Sequence, residues 1–184
     1  MKLVSIIIVS WNGLHWLKKS LPTLENITYK NIELILVDNS STDGTVDWVT
    51  KKYVKIKIIS VASNLGYAEA NNKGYQASAG EYVLFLNNDV EVTPAFVTEL
   101  VRAVEDDPSI AGAQGQIRLL DNKDTYDSIG AFLTPTGFLY HYCFMNKVNK
   151  KYDVQINLFT PKGACMLFKR KSLEHVLVHG ELFD

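Results

Sequence analysis

Four short apolar runs, at residues 3–9, 32–37, 55–60 and 82–86, decide most of what this chain can fold into. The first holds three consecutive isoleucines and a valine, and the fourth is apolar or aromatic throughout. Runs of this length without alternation suit strands buried on both faces, as in a parallel sheet. Between them lie stretches with helical spacing. Leu14, Leu17, Leu21 and Leu24 share one stripe, and Pro22 is expected to kink or end that helix. Val46, Val49 and Tyr53 form a second, with Ser41, Thr42 or Asp43 as its cap. Ala70, Gly74 and Ala77 form a third, whose small side chains allow close approach to a sheet. A fourth carries Val97, Leu100, Val101 and Val104, opened by Thr93 and Pro94 and closed by Asp107 and Pro108. Strands alternating with helices imply βαβ units, hence an α/β fold on a mostly parallel sheet.

After Ile110 the rhythm changes. Residues 121–160 are polar and aromatic with no helical stripe, then 164–168 reads as another buried strand and 171–178 as a short helix. The expectation is one domain over residues 1–184. Within it, 1–107 forms a nucleotide-binding half, and 108–184 begins an irregular half that helps complete the same site.

Charge and cysteine content narrow the function classes. With 19 Lys plus Arg against 20 Asp plus Glu, the net charge of −1 offers no basic face for nucleic acid. Cys143 and Cys165 form neither a CxxC pair nor a disulfide framework, which fits a reducing, cytoplasmic setting. The run at 3–9 is far short of the about 20 apolar residues a membrane span needs, and no cleavage site follows it. Membrane contact is therefore expected to be peripheral at most.

In an open parallel sheet, ligands bind at the carboxyl ends of the strands. The first run closes on Val9 and is followed by Ser10, Trp11 and Asn12. Asp38, Asn39 and Ser40 follow the second, Asn64 and Gly66 the third, and Asn87, Asn88 and Asp89 the fourth. Loops favour such residues anyway, but four polar ends on one sheet edge mark a candidate site. Asp38 reads either as a turn carboxylate or, because other residues can cap the next helix, as an acceptor for a ligand N–H or hydroxyl. Trp11 reads equally as core packing or as a surface for a base. Mg²⁺ or Mn²⁺ held mainly by substrate phosphates needs only one or two protein carboxylates, and Asp89 supplies one. The alternative for Asp89 is a turn residue before the Pro94 helix.

Several chemistries lack their motifs. The four histidines show no HxxxH or HExxH spacing. There is no GxGxxG after the first strand, no GxxxxGK[ST] and no GxSxG. The pair Lys150-Lys151 and the triplet Lys169-Arg170-Lys171 read as solvated faces, with contact to phosphate or an anionic membrane surface as the alternative.

The blocks SIIIVSWNG at 5–13, VDNSSTDGT at 37–45, NLGYAEANNKG at 64–74 and GEYVLFLNND at 80–89, followed by Pro94, resemble family 2 glycosyltransferases in content and order. GACMLFKR at 163–170 resembles the strand before the acceptor segment of these enzymes, and the pattern is most like the rhamnosyltransferase-like, cell-surface polysaccharide branch. The resemblance implies a GT-A fold, a Rossmann-like three-layer α/β/α sandwich. It also implies a nucleotide-diphosphate sugar donor (UDP or dTDP), a saccharide or lipid-linked acceptor, a divalent Mg or Mn ion, and inversion at the anomeric carbon. It admits a homodimer and a location at the inner face of the membrane. Carried over by position, Ser10 and Trp11 line the base pocket, Asp38 accepts from the pyrimidine N–H, and Val9, Asn12, Gly66 and Asn88 are further nucleotide-sugar-binding positions. Asn64 and Asn72 lie along the nucleotide, Asn87 near the ribose, and Asp89 binds metal in the DxD place.

Two departures matter. Asn87 replaces the leading Asp of DxD, so metal binding leans on Asp89 and the diphosphate. The last residues, Gly180 to Asp184, look like the opening of the GGFDExFF…ED segment, whose final carboxylate is the family's usual base. The resemblance therefore implies that the base lies beyond Asp184, and that this chain binds donor but transfers poorly or not at all. The competing classes are a sugar-nucleotide nucleotidyltransferase and a non-catalytic nucleotide-sugar binding module. The first would want a basic residue in the loop after strand one, and none occurs before Lys18.

Overall fold

A computed structural model describes residues 1–183. Asp184, the last residue of the motif opening read at 180–184, lies outside the described residues. Six strands form the main sheet in the order β3-β2-β1-β4-β10-β5. The parallel part comprises β1 (Val4–Ser10), β2 (Ile32–Asp38), β3 (Lys57–Ser60) and β4 (Tyr82–Leu86). The helices α1 (Leu14–Glu25), α2 (Thr45–Lys52) and α3 (Gly66–Gln76) connect them, and α4 (Phe96–Glu105) follows β4. At the far side β5 (Gly112–Ala113) and β10 (Cys165–Lys169) complete the sheet, with β10 antiparallel to both neighbours. The sheet is thus mostly parallel. Its antiparallel member was not foreseen, because a bare apolar run does not encode direction.

Alternate residues of each strand enter two different cores. Ile6, Ile8, Leu36, Leu84 and Leu86 pack with Leu17, Leu21 and Leu24 of α1 and with Val97, Val101 and Val104 of α4. Ile7, Ile35, Val37, Val83 and Phe85 pack on the other face with Ala70 and Tyr75 of α3 and Leu173 of α5 (Arg170–Glu174). The result is a three-layer α/β/α sandwich. Gly74 of α3 lies so close to the sheet that an added Cβ would sit 2.3 Å from Ile7 Cγ2. The small-residue stripe thus reaches the sheet as expected.

Some boundaries differ from the sequence reading. α1 runs through Pro22 to Glu25, because the ring removes a single backbone donor near the helix end. The Asn26 amide then donates to the Pro22 carbonyl at 3.0 Å and closes the last turn. The third strand begins at Lys57 rather than residue 55, α4 begins at Phe96 with Thr93 O accepting its N–H, and α5 stops at Glu174.

Between β5 and β10 the chain makes two small two-stranded sheets. β6 (Ile117–Arg118) pairs with β7 (Tyr126–Ser128), and β8 (Ala131–Leu133) pairs with β9 (Leu139–His141). Tyr126, Ile129 and Cys143 form a third, minor core there. No helix among the described residues is long and apolar enough to cross a membrane.

Candidate nucleotide-sugar site

The carboxyl ends of β1 and β2 are stitched together. The Asn12 N–H donates to Ser41 Oγ at 2.9 Å, the Thr42 N–H donates to Asn12 Oδ1 at 2.8 Å, and the Leu14 N–H donates to Asp43 Oδ2 at 2.9 Å. Asn12 sits at φ 49°, a left-handed conformation that Asn adopts more readily than most residues. None of the three cap candidates is the N-cap of α2, which is Gly44 at φ 83°, where glycine bears the left-handed conformation freely; Asp43, just before it, accepts through Oδ1 from the Thr45 N–H and hydroxyl. Burial opposes charge on Asp43. The bonds from Thr45 and Leu14 outweigh that effect and hold its carboxyl below the ordinary value.

Asp38 pairs across the strands with Ser10 and is 3% exposed. Its Oδ2 accepts from the Ser41 N–H at 3.1 Å, so it does serve a turn. Its Oδ1, however, is buried without a partner, and a buried acceptor of this kind is uncommon. Trp11, one residue past the tip of β1, is 58% exposed, which removes the core-packing alternative. Val9 packs against the α3-side core.

The tip of β4 joins the same edge. Asn88 Nδ2 donates to the buried Ser10 Oγ at 3.0 Å, and Ser20 Oγ donates to the Asn88 carbonyl at 2.7 Å. The Asn87 N–H donates to the Ala164 carbonyl at 3.0 Å, and its Oδ1 accepts from the Tyr67 hydroxyl at 3.2 Å. Asp89 is exposed. No three His, Cys, Asp or Glu residues gather as a metal site among the described residues. A lone carboxylate at a strand tip fits an ion whose remaining ligands are substrate phosphates and water.

The loop after β3 is held by a residue the sequence reading quoted but did not assign. Asn39, buried at the tip of β2, donates through Nδ2 to Asn64 Oδ1 (2.8 Å) and the Gly66 carbonyl (3.1 Å), and accepts the Leu65 N–H (2.8 Å). Asn64 Oδ1 also accepts the Gly66 N–H, and Gly66 sits at φ 80°. Tyr67 was missed altogether. Its hydroxyl bridges Asn87 and the Gly163 carbonyl, and desolvation pushes its pKa up. No sequence pattern announces such a bridge.

Asn72 departs from expectation. It is buried in α3, donates to the Phe183 carbonyl at 2.8 Å, and accepts the Leu182 and Phe183 N–H groups at 3.1 Å. Its amide anchors that segment and makes no bond to the strand tips. Lys169 and Arg170 also differ from a solvated face. Lys169 Nζ donates to the Asp107 carbonyl at 3.1 Å, and Arg170 donates to Gly80 and Ser78 while stacking over Tyr75.

A cavity of about 430 Å³ lies elsewhere, beside β5. Ile110, Gln114, Tyr152, Ile156 and Phe168 are among its walls, and none of its lining residues precedes Ala103.

Comparison with known proteins bears on this arrangement. The sequence profile of Glycosyl transferase family 2 matches residues 5–177. The chain belongs to that family. The Escherichia coli protein WfaP, named as a UDP-Glc:alpha-D-GlcNAc-diphosphoundecaprenol beta-1,3-glucosyltransferase, is 38% identical over 91 residues, covering 48% of this chain and 36% of WfaP. The mannosyltransferase PcManGT from Pyrobaculum calidifontis, solved with GDP-Man and Mn²⁺, superposes with a TM-score of 0.66 at 18% identity, over 94% of this chain and 46% of that one. S. aureus TarS in complex with UDP-GlcNAc superposes with a TM-score of 0.59 at 23% identity, over 64% and 35%. The fold of this family 2 chain is therefore GT-A. The matched part spans between 34% and 39% of the length of the curated relatives.

Proposed function

We propose that this family 2 chain binds a nucleoside-diphosphate sugar at the carboxyl edge of its sheet. In this reading it is part of an inverting transferase that delivers the sugar to a saccharide or lipid-linked acceptor in cell-surface polysaccharide synthesis, at the inner face of the membrane. The observation that carries the reading is Asp38, a buried carboxylate with one oxygen lacking a donor, close in sequence register to the exposed indole after Ser10. A pyrimidine offers a ring N–H to that oxygen and a flat face to the indole. The names of relatives support the donor class: UDP-GlcNAc for TarS, GDP-Man for PcManGT, UDP-Glc for WfaP.

Ser10, Asn12, Asn64, Gly66 and Asn88 lie along this edge, with Asn39 fixing the loop that carries two of them. In the reaction the acceptor oxygen bonds to the anomeric carbon while the bond from that carbon to the diphosphate breaks, inverting the centre. Fixed hydrogen-bond donors hold the nucleotide as charge grows on the departing group. Asp89 would hold a Mg²⁺ or Mn²⁺ ion, which when bound neutralises part of the diphosphate charge. A general base takes the acceptor proton, and no described residue is assigned that role. Residues 1–107 serve the donor, and those from 108 onward begin the acceptor side.

Calorimetry with UDP and dTDP, with and without Mn²⁺, tests the reading. Metal-enhanced diphosphate binding is expected, Asp89→Ala should abolish the metal effect, and Asp38→Ala should weaken binding even without metal. Absence of diphosphate binding in every arm would overturn it. Tight nucleoside triphosphate binding with pyrophosphate release would instead indicate a nucleotidyltransferase.

A further inference from the structure

The strand-tip edge has a charge problem. The loops at the tips of the four parallel strands, residues 10–13, 38–44, 61–65 and 87–95, contain no Lys or Arg, yet they include Asp38, Asp43, Asp89 and Glu91. A diphosphate brought to this edge meets carboxylates, and a single divalent ion on Asp89 offsets only part of the repulsion.

We propose that Lys162 receives the donor diphosphate, and that Asp127 of β7 positions its ammonium for that contact. This rests on the donor reading above. Lys162 opens the turn that precedes β10, and that turn is pinned to the β4 tip. The Gly163 carbonyl accepts from Tyr67, the Ala164 carbonyl accepts from the Asn87 N–H, and the Lys162 carbonyl accepts from the Cys165 N–H. The Lys162 N–H itself donates to Gln114 Oε1. The ammonium is therefore carried on backbone fixed to Asn87, two residues from Asp89.

Its charge is also the less screened of two ion-paired lysines, Lys123 and Lys162. Lys123 pairs with Glu91, but its side chain is 68% exposed, where screening leaves little interaction energy. Lys162 pairs with Asp127 with side chains only 27% and 20% exposed. An ammonium has three donors, so Lys162 can keep Asp127 and still donate to a phosphate oxygen. A partly desolvated cation so positioned stabilises charge developing on the departing diphosphate.

The test is calorimetry of the 184-residue chain with uridine, UMP and UDP and their thymidine counterparts, at fixed Mn²⁺. Lys162→Met should lower diphosphate affinity about tenfold or more while leaving nucleoside affinity unchanged, as expected for loss of a charged hydrogen bond. Lys162→Arg should retain most of the preference for diphosphate. Asp127→Asn removes the positioning carboxylate and should lower the diphosphate-to-nucleoside affinity ratio, by less than Lys162→Met does. An unchanged diphosphate-to-nucleoside ratio in Lys162→Met overturns the assignment alone, as does an equal loss of both ligands. If Lys162→Met does not fold, an unchanged diphosphate-to-nucleoside ratio in Asp127→Asn overturns it. Failure of the unsubstituted chain to bind any of these ligands overturns the donor reading and this assignment together.

Discussion

Asn88 donates a 3.0 Å hydrogen bond to the hydroxyl of Ser10, directly over the backbone of Gly13. This contact closes the end of β1 against the end of β4. It exists because residue 13 has no side chain: an added Cβ there would lie 2.3 Å from Asn88 Nδ2 and 2.5 Å from Ser10 Oγ.

Gly13→Ala should therefore push these two side chains apart. Overpacking of this kind costs about 1–3 kcal/mol, whereas Ser10→Ala, which only leaves the Asn88 amide unpaired, should cost about 1 kcal/mol. Thermal melts of the two variants should rank in that order, and diphosphate binding should fall further in Gly13→Ala.

Gly74→Ala sets two effects against each other. Alanine favours a helix interior by about 1 kcal/mol over glycine. The new methyl would meet Ile7 Cγ2 at 2.3 Å and Val37 Cγ2 at 3.2 Å, and neither β-branched side chain has room to yield. The clash should win, with a net lower Tm, and a paired Ile7→Ala substitution should recover part of the loss.

Asn39→Ala removes a buried side chain that makes three hydrogen bonds to the loop opening α3. The loss should be about 2–3 kcal/mol, because three bonds go together and the Leu65 N–H loses its partner, while Asn64 Oδ1 keeps only the Gly66 N–H. Hydrogen exchange should show faster opening of residues 64–67, with the strands unaffected.

Cys165 is buried between β4 and β5, and desolvation pushes its pKa from 9.0 to about 12. Cys143 is buried as well. Neither thiol should react with iodoacetamide at pH 8 in the native chain, and both should react in denaturant. The raised value also fixes a sign: the Cys165 contribution to stability is complete below pH about 9 and declines as pH rises toward 12.

Asp43 gives the opposite limb. Its carboxyl is held below the ordinary value by the Thr45 and Leu14 bonds, so its contribution is present at neutral pH and disappears as pH falls through the folded-state value. Melts between pH 7 and pH 3 should show a shallower acid decline for Asp43→Asn than for the unsubstituted chain.

The parts of this fold that could be read in advance were those written in local residue order. β1, β2 and β4 announce themselves as apolar β-branched runs, and the polar residues at their ends mark the sheet edge by position alone. What could not be read depends on distant partners. The direction of β10 is set by pairing with Leu86 through Tyr82. The employment of Asn72 depends on residues 182–183, and that of Arg170 on Ser78 and Gly80. Tyr67 looks like any helix tyrosine until Gly163 arrives beside it. Pro22 misled for a local reason, since its cost depends on how near the helix end it falls.

The insertion of β10 beside β4 has a consequence during synthesis. The four parallel strands are complete by Leu86, but the strand that covers the outer side of β4 emerges from the ribosome only with residues 165–169. Until then Tyr82–Leu86, wholly buried in the finished molecule, presents unpaired amides and carbonyls on an apolar border. Such an uncovered rim invites self-association between nascent chains. Slow elongation through that interval would favour aggregates, while a chaperone that shields the rim would raise the yield of folded protein.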